Sequence, residues 1–181
     1  KSKRNKRNLS VEEFRFIVNK LKPYTNYLYL HVMGEPLLHP HLEEILQIAN
    51  DYSYKVNITT NGSLIPKQQA VLLKYPPHQI NISLHDLEEN IPPEKLPELI
   101  QSFISFANSV ANTTYINLRL WNRTNDTISF FTKQCLELLQ TELQLDEFIF
   151  SNENLFQGIH LRKHIYLQTA VRFDWPDMKA E

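Results

Sequence analysis

His31-Val-Met-Gly-Glu-Pro-Leu-Leu-His-Pro40 stands between an apolar run, Tyr27-Leu-Tyr-Leu30, and an amphipathic segment, His41-Leu-Glu-Glu-Ile-Leu-Gln-Ile-Ala49. Periodicity makes this a buried strand, a tight turn at Gly34-Glu35-Pro36, and a helix with Leu42, Ile45, Leu46 and Ala49 on one face. A glycine where a strand ends lets the backbone turn sharply and lets a ligand approach it closely. Pro36 sets one dihedral of the turn and removes a donor, so carbonyls are the main polar groups left there. Together with a carboxylate at the C-terminal end of a strand, such carbonyls suit a cationic ligand group such as an ammonium.

Upstream, Ser10 is a good helix N-cap, and Glu13 three residues later completes a capping box. Downstream, Lys55-Val-Asn-Ile-Thr-Thr60 alternates Val56 and Ile58 with Asn57 and Thr59, a strand closed by the turn pair Asn61-Gly62. A helix over 66–74 follows, started by Pro66. Ile80-Asn-Ile-Ser-Leu-His85 is the next strand, and a Pro-rich connector leads to a helix over 96–110. Tyr115-Ile-Asn-Leu-Arg-Leu120 is another strand, with a helix over 127–143 and a short strand at Phe148-Ile-Phe150 after it. Alternating strands and helices predict a parallel sheet with right-handed crossovers, hence an α/β fold. A doubly wound sheet and part of a (β/α) barrel fit this periodicity equally well, and both bind ligands at the C-terminal ends of strands.

A chain of 181 residues with 42% hydrophobic content can bury one good core. Its formal charge of −1 argues against a nucleic-acid partner. The first seven residues carry five of the 19 basic groups and no acid, and read as a solvated arm. No apolar run approaches the roughly 20 residues of a membrane helix, and no signal peptide is visible. A single cysteine, Cys135, fits a reducing, cytoplasmic setting without a disulfide framework. It sits on an apolar-patterned helix and reads as a small core residue.

The Met33-Gly34-Glu35-Pro36 turn resembles the second-strand signature of the radical S-adenosylmethionine (SAM) enzymes, with Met33 standing where that family usually has a first glycine. Thr60-Asn61-Gly62 resembles the end of the family's third strand. The resemblance implies an open, partial (β/α) barrel of parallel strands with SAM at their C-terminal ends. It implies that the backbone of Met33, Gly34, Glu35 and Pro36 holds the amino group, that Thr60 and Asn61 lie at the same rim, that Ser83 lies near the ribose, and that Arg119 meets the carboxylate. It also implies a 4Fe–4S cluster, an electron donor such as flavodoxin or ferredoxin, and a 5′-deoxyadenosyl radical that takes hydrogen from a small-molecule, peptide or protein substrate. The family holds that cluster with three cysteines spaced CxxxCxxC after its first strand, and one thiol cannot do so.

The expected organisation is therefore the central part of a larger enzyme. Residues 1–170 form a partial core lacking the first strand and cluster loop, with 1–8 as a basic arm just past that loop. Residues 171–181 resemble the linker to a SPASM-type accessory-cluster domain. The competing reading is a cluster-free scaffold or binding module with a degenerate SAM pocket.

Other constellations have simpler readings. His31, His39 and His41, with Glu35, can be drawn as a metal or acid–base set, but turn hydrogen bonding and helix packing explain them too. Glu43 and Glu44 are first-turn carboxylates that favour the helix dipole. A hydrolase built on Glu35 and a histidine lacks both a Gly-x-Ser-x-Gly elbow and a His-Glu-x-x-His helix. Arg119 stands inside an apolar strand and needs an anionic partner: SAM, or else Glu35 or Asp86.

Overall fold

The computed structural model describes residues 7–31, 34–123, 128–145 and 158–171. Eleven elements lie within these segments: α1 (Val11–Leu21), β1 (Tyr27–Leu30), α2 (Leu42–Asp51), β2 (Lys55–Thr60), α3 (Ile65–Lys74), β3 (Gln79–Ser83), α4 (Leu96–Ser109), β4 (Tyr115–Arg123), α5 (Phe130–Leu143), β5 (Ile159–Arg162) and β6 (Ile165–Val171). Short 3₁₀ turns at Pro36–Leu38, Leu84–Leu87 and Pro93–Lys95 follow β1, follow β3 and precede α4.

The six strands form one sheet in the order β1-β2-β3-β4-β6-β5. From β1 to β6 every neighbouring pair is parallel. The order advances in one direction with no reversal, whereas a doubly wound sheet reverses at its ligand-binding crevice. With crossovers of one hand, a one-directional order puts all the helices on one face. Accordingly α1 packs on α2, α3 on α4 and α4 on α5. This is an open segment of a (β/α) barrel, and it decides between the two α/β alternatives.

One expectation fails at the edge. β5 runs antiparallel to β6, so the sheet is not parallel throughout. Only Lys163 and His164 separate them, too few residues for a parallel crossover, and Lys163 turns the chain with φ +48°. β6 ends at Val171, the first residue assigned to the linker. The expected strand Phe148–Phe150 lies outside the described residues.

Element ends follow local chemistry. Ser10 and Glu13 form the capping box: the Glu13 N–H donates to Ser10 Oγ at 3.1 Å, and the Ser10 N–H to Glu13 Oε2 at 2.9 Å. Arg7 grips the same carboxylate at 2.6 and 2.7 Å. That hydrogen-bonded guanidinium, with the Ser10 N–H, holds the Glu13 carboxyl down to about 2. α5 begins at Phe130 rather than Thr127 because Ser129 caps it, accepting from the Thr132 N–H at 3.1 Å. β3 runs from Gln79 to Ser83, one residue earlier than expected at its start and two at its end, where the 3₁₀ turn takes over.

Alternation divides the sheet into two unlike faces. Val56, Ile58, Ile80, Ile82, Ile116 and Leu118 are buried toward the helices, where Phe103, Phe106 and Ile100 of α4 pack on them. The opposite face is polar, from Asn57 and Thr59 across to Asn117 and Gln168. Among the described residues no helix is long and apolar enough to cross a membrane.

Candidate functional site at the strand C-termini

The C-terminal ends of β1 to β4 form one rim, because neighbouring parallel strands end side by side. Gly34 turns the chain there with φ +94°, and nothing lies within 4 Å of where a Cβ would stand. The backbone is therefore both in a glycine conformation and open to approach. Met33 lies outside the described residues.

Glu35 spends its carboxylate on the scaffold. Oε1 accepts from the Leu37 N–H at 3.1 Å, capping the 3₁₀ turn that Pro36 starts. Oε2 accepts from the Asn61 N–H, also at 3.1 Å. One side chain thus ties the exit of β1 to the exit of β2. The side chains of Thr60 and Asn61 close the second turn: Thr60 Oγ1 accepts from the Gly62 N–H at 3.0 Å, and Asn61 Oδ1 from the Ser63 N–H at 3.0 Å and its Oγ at 2.7 Å. Gly62 itself has φ +82° and lies against the Phe103 ring. Beside the Gly34 turn a cavity of about 380 Å³ opens between α1 and α2, walled by Phe14, Leu30, Leu42 and Ile45.

Further along the rim, Ser83 is buried and pairs in register with Arg119. Arg119 has neither of its expected protein partners. Glu35 is committed to backbone, and Asp86 lies 3.5 Å from His85. Instead the guanidinium lies 4.7 Å over the Trp121 ring, which stacks on His85, whose Nδ1 meets the Arg119 carbonyl oxygen at 3.1 Å. Arg119 Nε is buried with no hydrogen-bond partner, and burial lowers the guanidinium's pKa. A half-buried cation held by an aromatic ring and short of one acceptor suits a carboxylate.

The histidine cluster does not converge. His39 Nδ1 accepts from the His41 N–H at 3.2 Å, so Nε2 carries the proton that it gives the Leu9 carbonyl at 3.0 Å. His41 pairs with Glu44 at 3.2 Å, and the His31 ring meets Tyr29 edge-on. Among the described residues no group of three metal-ligating side chains forms.

Sequence reasoning missed the residues beneath the rim. On the polar face of the sheet, Asn57 pairs in register with Gln79, and Asn81 with Thr59 and Asn117. The carboxamides of Gln79, Asn81 and Asn117 join into a hydrogen-bonded ladder that reaches Gln168 on β6. The signal was present: each of three strands carries one asparagine between branched aliphatics, in Val56-Asn-Ile58, Ile80-Asn-Ile82 and Ile116-Asn-Leu118. Trp121 and His85 were also missed as partners of Arg119, and no spacing rule points to them.

Residues 1–130 match the sequence model of the Radical SAM superfamily. Among solved structures, one described as the crystal structure of archaeal TYW1 is 20% identical over 74% of this chain and 50% of its own, with a TM-score of 0.43. A structure of TYW1 with a lysine-pyruvate adduct bound is 20% identical over 69% of this chain and 48% of its own, with a TM-score of 0.36. The chain thus spans about half the length of those two structures. No curated protein sequence matches it.

Proposed function

The chain belongs to the radical SAM superfamily, and on that premise we propose that it holds SAM along the C-terminal rim of β1 to β4, as the SAM-binding part of an enzyme that abstracts hydrogen from its substrate. The observation that carries this reading is Arg119, a half-buried guanidinium whose Nε is buried and unpartnered at the end of the strand pair β3–β4. The residues fit SAM: Arg119 would take its carboxylate and the open backbone at Gly34 its ammonium, with Ser83 between them on the rim. When bound and reduced by one electron, SAM supplies the radical chemistry of the family. The chain's own part is to bind and orient. The Glu35 clamp fixes the two turns against each other, and Trp121 holds the guanidinium in its plane.

The residues do not fit a 4Fe–4S cluster. Such a cluster takes thiolate ligands, and the chain has one cysteine. Cys135 is fully buried on α5, and burial pushes its thiol up to about 12. This favours a second reading, in which these 181 residues act as a SAM-binding module without a cluster of their own. Anaerobic treatment of this polypeptide with iron and sulfide is expected to yield no stoichiometric cluster absorbance. Cluster-like absorbance that persists after desalting would remove that reading.

Arg119→Lys tests the SAM site. Lysine keeps the charge and loses the planar two-pronged donor. Loss of one such charge-assisted contact costs about 1.5–3 kcal/mol, so SAM affinity is expected to fall roughly tenfold to a hundredfold by calorimetry. The melting temperature without ligand should barely move, because Nε has no protein partner to lose. Intact affinity in a protein that melts several degrees lower would make Arg119 structural and withdraw the site.

A further inference from the structure

Beneath the rim, the polar face of the sheet is built from neutral side chains in two rows. Tyr29, Asn57, Gln79 and Tyr115 stand in one row across β1 to β4. Thr59, Asn81, Asn117 and Tyr166 stand in the next, across β2, β3, β4 and β6. Arg119 belongs to the row above, two residues or about 6.6 Å along the strand. Neither of the two lower rows contains Asp, Glu, Lys or Arg from β1 to β6, while His160 of β5 pairs with Tyr166 and His164 stacks on Tyr115.

The hydrogen bonds of this ladder leave an acceptor over. Asn81 Nδ2 donates to the Ile58 carbonyl and to Thr59 Oγ1, both at 3.3 Å. A carbonyl only accepts, so the Asn81 amide group is oriented with its oxygen toward Gln79 and Asn117. That oxygen accepts from Gln79 Nε2 at 2.7 Å and from Asn117 Nδ2 at 3.2 Å. Asn117 Nδ2 gives its second proton to Gln168 Oε1 at 2.8 Å. Asn117 Oδ1 is thereby held as an acceptor with nothing to accept from, in a side chain of a residue only 5% exposed. Asn57 Oδ1 is also buried without a hydrogen-bond partner, in a residue 6% exposed. A buried acceptor without a donor costs about 1–3 kcal/mol, and native proteins carry few of them. Asn117 also lines a cavity of about 180 Å³, shared with Tyr115, Tyr166, Gln79, Gln168 and Gly158.

We infer that this ladder is a binding site for the uncharged amide of a substrate, which donates its N–H to Asn117 Oδ1 in that cavity. The ladder fixes that oxygen as an acceptor, so the ligand must donate to it. The two rows contain no carboxylate, so an ammonium donor would be buried unpaired. Tyr115 and Tyr166, with ring centroids 6.2 Å apart and planes tilted by 41°, give the cavity an aromatic lining that suits a planar group over an alkyl alcohol. The inference rests on the SAM reading only for what lies above the bound amide, one row up at Arg119.

Acetamide, acetone, acetate and isopropanol are nearly the same shape and differ in donor, charge and planarity. Titrated into the ¹⁵N-labelled protein by NMR, acetamide is expected to shift the Asn117 side-chain amide signals saturably. The other three should need at least tenfold higher concentration. Asn117→Leu should weaken acetamide at least tenfold, whereas Asn57→Leu, whose side chain neither holds a rung of the ladder nor lines the cavity, should leave it within about twofold. Equal responses to acetamide and acetone, or to acetamide and isopropanol, would overturn the proposal, as would undiminished acetamide binding in Asn117→Leu. SAM added to the same sample reports on the Arg119 Nε signal. A SAM response without an acetamide response sinks this inference alone, whereas an acetamide response without a SAM response sinks the SAM reading and leaves the amide site standing.

Discussion

Gly62→Ala is expected to lower the folding stability by about 2–4 kcal/mol, the sum of overpacking and a left-handed backbone. A Cβ at residue 62 would lie 2.6 Å from Phe103 Cζ and 2.9 Å from Ile82 Cγ2. Phe103 is 1% exposed and Ile82 fully buried, so neither can swing into solvent. The backbone there has φ +82°, which costs an alanine about 1–2 kcal/mol on its own. Urea denaturation measures the loss, and an unchanged slope would confirm that only stability moved. A loss below 1 kcal/mol would mean that α4 shifts off the sheet to make room. The turn after β2 is therefore glycine for two separate reasons, one in its backbone and one in the core beneath it.

Glu35→Ala is expected to remove about 2–3 kcal/mol of stability and more than tenfold in SAM affinity together. The side chain accepts from two backbone N–H groups on two different strand exits. Bonds to a charged acceptor contribute about 1.5–3 kcal/mol each, reduced here because the site is only partly buried. Glu35→Gln keeps one good acceptor and should recover about half the loss. Hydrogen exchange identifies the cause: the Leu37 and Asn61 amides should both lose protection in the alanine variant. Weaker SAM binding with those amides still protected would instead make Glu35 a direct ligand contact. The carboxylate suggested a cation site when read in the sequence. In the structure it is the clamp that ties the exit of β1 to the exit of β2.

Periodicity and turn chemistry are local, and what depends on them was legible in the sequence. β1 and β2 have the limits read from Tyr27-Leu-Tyr-Leu30 and Lys55–Thr60, because an apolar alternation bounded by glycine turns admits few other foldings. The Ser10–Glu13 capping box formed as its spacing required. The Gly-Glu-Pro turn pointed to the superfamily that residues 1–130 match. Strand order, hydrogen-bond partners and burial on the second sheet face depend on residues far apart in the chain, and only the tertiary structure decided them. The one-directional order chose an open barrel over a doubly wound sheet, which the same alternation would equally allow. The bond that Glu35 accepts from the Asn61 N–H and the unpartnered Nε of Arg119 follow from which strands end side by side. Three asparagines spaced along the sequence came onto one face of the sheet, and Asn81 and Asn117 into one ladder, only when β2, β3 and β4 paired in that register. A side chain's face can be read from its neighbours in sequence, but its partner is chosen by the packing of the whole chain.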